Sequence, residues 1–269
     1  MRYLFIDFET YSETDIKTAG NYKFCEDPNF EILLCGFMFD TDPEVSILDL
    51  TTFNGRKCFH DLFHVVSTDK DITVVAHNAN FERICLKEYG YEIDPMRFFC
   101  TANMSLYCGL PPSLDAVSKI LDLQDKKLGT GKNLIRYFSM PCKPTKTNGM
   151  RTRNLPENDP ESWEEFKEYL KYDVLSEREI FNKLSRFEFP YLERRIYAAD
   201  QRINDYGIKA DLQLAKAAQD MDTEYKDRLA QTALDKYGID SLKSMPQLKK
   251  FIYDRTGVIV SSLNKSSIE

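Results

Sequence analysis

The chain is 269 residues long, 42% hydrophobic and 29% charged, with 18 Phe and 15 Tyr. That much aromatic surface excludes intrinsic disorder, and the length predicts one large domain or two ordinary ones. The net charge of −7 argues against a generally adhesive nucleic-acid binder, no apolar run nears the ~20 residues of a membrane span, and MRYLFIDFETY is broken by Asp7 too early to be a signal peptide.

In chain order, residues 3–9 read as a strand, and FEILLCGFMF (30–39) and EVSILDL (44–50) as two more at hairpin spacing. A short amphipathic helix is expected over 58–66, then a buried strand ITVVA at 72–76. After a His77-Asn78 turn, a helix runs from Asn80 to Tyr89, and Phe98 to Thr101 forms a short strand. Pro111-Pro112-Ser113 caps a helix LDAVSKIL. Residues 124–160, rich in Lys, Pro, Thr, Asn and Gly, read as a long irregular excursion. From Pro160 the period is helical to about residue 184. Further helices follow over Tyr191–Tyr206, Asp211–Tyr237 and from Pro246 to Asp254, the first two closed by Tyr-Gly. The expectation is an α/β domain over 1–187, a mixed sheet with helices on its faces, and an all-helical extension over 188–269.

Charge is unevenly spread. Residues 1–50 hold 11 acids against 3 bases, whereas residues 126–153 hold eight bases and no acid. The first region suits cations and the second polyanions, the plain alternative for the basic stretch being a solvated loop. Seven scattered cysteines without a CxxC pair fit neither a disulfide framework nor a zinc site, and point to a reducing compartment. His60 and His64 read as ordinary helix-surface residues.

Three acidic patterns carry chemistry. Asp7 and Glu9 stand at i and i+2 on a strand, so their carboxylates share one face while Phe8 turns into the core. Two converged acids repel, a conflict that a hard divalent cation resolves. Glu82 falls in the first turn of the helix after the buried strand. Tyr169 and Asp173 are i,i+4 on a helix and share a face. Each has a simpler alternative: a solvated strand end, a helix-dipole acid, a surface pair.

Taken together, the order D-x-E, then N-x-x-x-acid, then Y-x-x-x-D resembles the DEDD exonuclease superfamily, tyrosine subclass. More narrowly, DFETYSETDIKTAGNYKFCEDPNFEILLCGF, AHNANFER, GKNLIRYFSMPCKPTK and RNLPENDPESWEEFKEYLKYDVLSERE resemble the 3′–5′ proofreading exonuclease domain of phage-type family A DNA polymerases. The resemblance implies a ribonuclease H-like fold and two divalent ions, Mg²⁺ or Mn²⁺. In it Asp7 bridges both ions, Glu9 binds the first and orients the attacking water, Asp173 is a further ligand, and Tyr169 positions the water. Glu82 stands where the superfamily carries aspartate and would reach the second ion through water. The implied reaction is hydrolysis of the terminal phosphodiester at a single-stranded 3′ end of DNA, releasing nucleoside 5′-monophosphates in the cytoplasm of a bacterium or phage-infected host. Phe8, Thr10, Tyr11, Asn78 and Phe81, beside the first two motifs, and Lys126, Lys127, Lys132 and Arg136, in the basic excursion, are the candidate DNA contacts. The Gly129–Lys132 stretch lacks the first glycine and the Ser/Thr of a phosphate loop. Residues after 190 resemble a connector and the start of a polymerase thumb. No palm or fingers motif follows, which leaves two readings open: a piece of a longer polymerase, or a separately encoded fragment whose partner is a polymerase module. The alternatives are a catalytically weak exonuclease fold that docks DNA for such a partner, or an RNA 3′ exonuclease.

Overall fold

A computed structural model describes residues 2–123 and 131–265. The first expected strand forms as β1 (Arg2–Tyr11), at the centre of a five-stranded sheet with β2 (Glu31–Phe39), β3 (Ser46–Asp49), β4 (Ile72–Ala76) and β5 (Phe98–Cys100). The order is β3-β2-β1-β4-β5; β2 runs antiparallel to β1 and β3, whereas β4 and β5 run parallel to β1. This mixed sheet with flanking helices matches the α/β class and suits the ribonuclease H-like arrangement expected from the sequence. Among the described residues no helix is long and apolar enough to cross a membrane.

The helices are α1 (Ile16–Cys25), α2 (Phe53–Thr68), α3 (Asn80–Glu88), α4 (Thr101–Tyr107), α5 (Leu114–Ile120), α6 (Gly131–Phe138), α7 (Pro160–Leu184), α8 (Tyr191–Tyr206), α9 (Leu212–Tyr237) and α10 (Met245–Thr256). Three of them correct the sequence expectation. α1 is bent at Gly20, whose φ of 79° interrupts the helix and hides any apolar period. α4 begins directly where β5 ends, with no turn signal between them. α6 lies within the stretch read as irregular, where Lys, Gly and Pro mask the short pattern that buries Leu134 and Phe138.

Packing on the two faces of the sheet follows from strand alternation. Leu4, Ile6 and Phe8 face one way, in a core with Phe59, Phe63, Val66, Ile84 and Leu86 from α2 and α3. Phe5 faces the other way, joining Met38, Val75, Val174, Ile180 and Phe181 under α7. A third cluster joins Tyr11, Leu33 and Leu34 to Leu134 and Phe138 of α6 and to Trp163, Phe166 and Tyr169 of α7. The chain packs as two compact units, Met1–Tyr206 and Gly207–Glu269. α8 belongs to the first, where Arg194 donates to the Met96 carbonyl at 2.9 Å. In the second, Asp211 and Ser244 cap α9 and α10, and the rings of Tyr237 and Phe251 meet at 5.4 Å.

Candidate active site

β1 and β4 pair in parallel with Phe5 level with Val75, and β4 ends one residue later. β1 continues, its Asp7 opposite Gly36 and Glu9 opposite Leu34 of β2. The carboxyl end of a parallel pair is where open α/β sheets place ligands. Here the His77–Asn78 turn replaces β4 beside β1 and opens into α3, whose first turn carries Glu82. Asn78 takes a φ of 71°, a backbone state asparagine tolerates better than most residues. It is exposed, and its carbonyl accepts from the Phe81 amide at 2.9 Å.

Asp7 and Glu9 continue the face of Phe5, toward α7. Phe8 points away from them, its ring 6.0 Å from both Phe59 and Phe63. On α7 the spacing of four places Tyr169, Asp173 and Glu177 along one stripe, and all three are buried. Gly36 allows this helix to lie close. A Cβ there would stand 2.9 Å from Val174 Cγ2 and 3.0 Å from Leu170 Cγ. The glycine opposite Asp7 therefore sets the distance from β1 to the α7 stripe.

The electrostatics of the site centre on Asp7. Burial, then the Asp7 charge, push the Glu82 carboxyl well above its ordinary range. Burial, then the charges of Asp7 and Glu82, do the same to Glu177. The Tyr169 phenol, hydrogen-bonded to Asp173, is driven far above its ordinary value by burial and then by Asp173, Glu9 and Asp7. It therefore stays protonated at neutral pH and serves as a donor. None of the leading influences on Glu82 or Glu177 is a basic side chain.

Glu177 was not singled out in the sequence, although its place four residues beyond Asp173 was a usable signal. It ties α7 to the second motif, because its Oε2 accepts from the His77 amide at 3.1 Å. The His77 ring is held in turn, with Nδ1 3.0 Å from Thr101 Oγ1 and Nε2 2.7 Å from the Pro112 carbonyl.

Among the described residues no three His, Cys, Asp or Glu side chains form a ready-made metal cage. The donor chemistry nevertheless fits a hard cation. Buried oxygens Glu82 Oε2 and Glu177 Oε1 have no hydrogen-bond partner among the described residues, and the acids around them raise one another's proton affinity. A divalent ion taken up by oxygen ligands would relieve both conditions.

A groove of about 670 Å³ runs from Glu9. Phe8, Thr10, Ser12, Phe24 and Phe81 line it, with Lys132, Ile135 and Arg136 of α6. Of the candidate DNA contacts it thus gathers Phe8, Thr10, Phe81, Lys132 and Arg136. Phe8 and Thr10 are nearly buried there, and Phe81 is half-buried. Asn78 is not among its lining residues. Tyr11 stands apart in the core, 1% exposed, with the Arg153 guanidinium 3.9 Å above its ring. Lys126 and Lys127 lie outside the described residues.

No protein-family model matches the chain. Across its whole length, over 270 aligned residues, it is 45% identical to a protein of Bacillus phage SP02 described as a DNA polymerase. The chain spans 41% of the length of that relative. It is therefore similar, from end to end, to part of a phage DNA polymerase.

Proposed function

We propose that this chain is a divalent-cation-dependent 3′–5′ exonuclease that removes nucleoside 5′-monophosphates from single-stranded or frayed DNA 3′ ends, as a proofreading activity in phage-type DNA replication. One observation carries the reading. The charge of Asp7, midway along β1, pushes up the Glu82 carboxyl of α3 and the Tyr169 phenol and Glu177 carboxyl of α7, so residues distant in sequence share one acidic centre. Similarity to part of a DNA polymerase favours DNA over RNA as the substrate.

In this reading Asp7, Glu9 and Asp173 hold two Mg²⁺ or Mn²⁺ ions, with Glu82 assisting through water. Such ions supply a nucleophile at neutral pH and neutralise charge on the leaving 3′ oxygen. The chain's own groups do the rest. Tyr169, kept protonated, donates to Asp173 and orients an attacking water toward the terminal phosphorus. Lys132 and Arg136 face the phosphates of the strand along the groove. Phe81 offers an apolar wall to a terminal base, and an unpaired end presents its last phosphate to such a groove more readily than a duplex does. Uncompensated acids would repel the phosphodiester, so hydrolysis is expected only with divalent cation present.

The test is a 3′-labelled single-stranded DNA oligonucleotide incubated with Mg²⁺, with and without chelator. Stepwise shortening that is lost on chelation and in Asp7→Ala is the expected result. Binding without shortening would overturn the enzyme reading in favour of a docking module. Preferential shortening of the matching RNA would overturn the choice of substrate.

A further inference from the structure

We propose that Gly131 is a positioning residue for the reaction: it forms the seat against which the Tyr169 ring is held, so that α6 sets where the phenol hydroxyl points. The inference rests on the exonuclease reading and extends it to a residue outside the three acidic motifs.

A Cβ built on Gly131 would lie 2.1 Å from Tyr169 Cε2 and 2.6 Å from both Cδ2 and Cζ. These are atoms of a rigid, buried ring, so the clash could not be relieved by a flexible side-chain end swinging aside. Gly131 lies in α6 and does not occupy the left-handed region, unlike seven other glycines among the described residues. Its backbone would accept any residue, and the phosphate-loop explanation fails for want of a Ser or Thr after Lys132. Contact with Tyr169 is what requires glycine here.

The ring has little freedom elsewhere. It stacks on Phe166, with centroids 6.4 Å apart and planes 17° from parallel, and its hydroxyl is hydrogen-bonded to Asp173. Gly131 closes a further side. The same short helix presents Lys132, Ile135 and Arg136 to the groove. One rigid element therefore touches both the path of the strand and the phenol, and a small displacement of either reaching the other is a matter of packing rather than of any new contact.

The test is Gly131→Ala, read in both the wild-type and the Tyr169→Phe backgrounds with single-stranded DNA and Mg²⁺. A misplaced orienting group costs up to about 100-fold in rate. The expectation is a fall in kcat of about 10- to 100-fold with KM changed less than about twofold, shrinking to about twofold or less in kcat once the hydroxyl is gone. An equal loss in both backgrounds, or an unchanged kcat, would overturn the proposal. An activity-independent arm uses tyrosine labelled with ¹³C in the ring, the Tyr169 signal being assigned by its absence in Tyr169→Phe. That signal is expected to shift in Gly131→Ala more than those of the other tyrosines, and an unmoved signal overturns the seat. If Gly131→Ala does not fold, adding Tyr169→Ala, which removes the ring, is expected to restore folding; failure to do so overturns the proposal. Wild-type protein with no nuclease activity would sink the exonuclease reading instead, while the labelled-tyrosine arm still reports on the seat.

Discussion

Two adjacent residues of α3 are buried almost equally, Glu82 at 3% exposure and Arg83 at 4%, yet their surroundings are opposite. Arg83 grips Asp205 of α8 with two parallel hydrogen bonds, Nη1 and Nη2 each 2.9 Å from a carboxylate oxygen. Its Nε donates to Gln201 at 3.1 Å, and Tyr22 completes the network by donating to Asp205 at 2.8 Å. Burial alone would raise the Asp205 carboxyl, but the hydrogen bonds from Arg83 and Tyr22 outweigh it and hold the group below its ordinary value. Glu82 meets burial and the like charge of Asp7 instead. A charge balanced inside the chain serves the fold. One left among like charges costs stability, and in the proposed reading an external cation would offset that cost.

The largest effect should separate the two regions by activity. Asp173→Asn keeps the shape of the side chain and an acceptor for the Tyr169 hydroxyl, but removes a charge from the acidic centre. Exonuclease turnover is expected to fall by at least about 100-fold, as when a preorganised electrostatic group is lost, with no loss of thermal stability. A variant that keeps turnover within a few-fold would remove Asp173 from the chemistry.

Arg83→Met should do the reverse. It leaves Asp205, which is partly exposed and keeps Tyr22 and Lys87, without its main partner, a loss of about 1–3 kcal/mol. Denaturant titration at neutral pH should show that loss, while turnover per folded molecule stays as in wild type. Since the Asp205 carboxyl is depressed, its contribution is present above the ordinary aspartate value of 3.8 and fades as pH falls through the lower folded value. The gap between Arg83→Met and wild type should accordingly narrow in acid. A gap that persists undiminished well below that range would mean Arg83 acts by packing alone.

Glu82 predicts the opposite slope. A carboxyl whose folded pKa is raised contributes most below its ordinary value of 4.5 and loses that contribution as pH climbs through the folded value. Cation-free protein should therefore lose stability from about pH 4.5 toward neutrality. Glu82→Gln should flatten that fall and gain about 1 kcal/mol at pH 7. Mg²⁺ at a hundredfold excess over its dissociation constant should add about 2.7 kcal/mol to the wild type, and less to the variant. Identical pH profiles for the two proteins would break the contrast with Arg83.

Much of the acidic centre was legible because it rests on local periods. Asp7 and Glu9 share a face by strand alternation, Tyr169 and Asp173 by helical spacing, and the buried ITVVA run announces the turn that leads to Glu82. What was not legible depends on partners distant in sequence. Tyr11 looked like a DNA contact beside the first motif. The strand, however, shifts register between Glu9 and Thr10, and Arg153 lies over the ring, which places it in the core. The role of Gly36 needs β2 and α7 to be brought together, and the Arg83 network spans 122 residues to Asp205. Composition misled in one place, where Lys, Gly and Pro around α6 concealed a helix whose first residue meets Tyr169.

The smallest expected effect tests where Glu177 belongs in this contrast, since it shares features of both sides. It is buried among like charges, as Glu82 is, but one oxygen accepts a backbone hydrogen bond from His77, a structural duty closer to that of Asp205. Glu177→Gln keeps an acceptor for His77 and removes the charge. Glu177→Leu removes both and leaves the part-buried His77 N–H without its acceptor, at about 1 kcal/mol or more. If the backbone duty dominates, the glutamine variant should match or slightly exceed wild-type stability at pH 7, by less than about 1 kcal/mol, whereas the leucine variant should be clearly weaker. Turnover and the Mg²⁺ concentration for half-maximal rate should change little in the glutamine variant, because the turn that carries Glu82 stays in place. A marked rise in the Mg²⁺ requirement of Glu177→Gln would instead place Glu177 with Glu82, as a charge the cation needs.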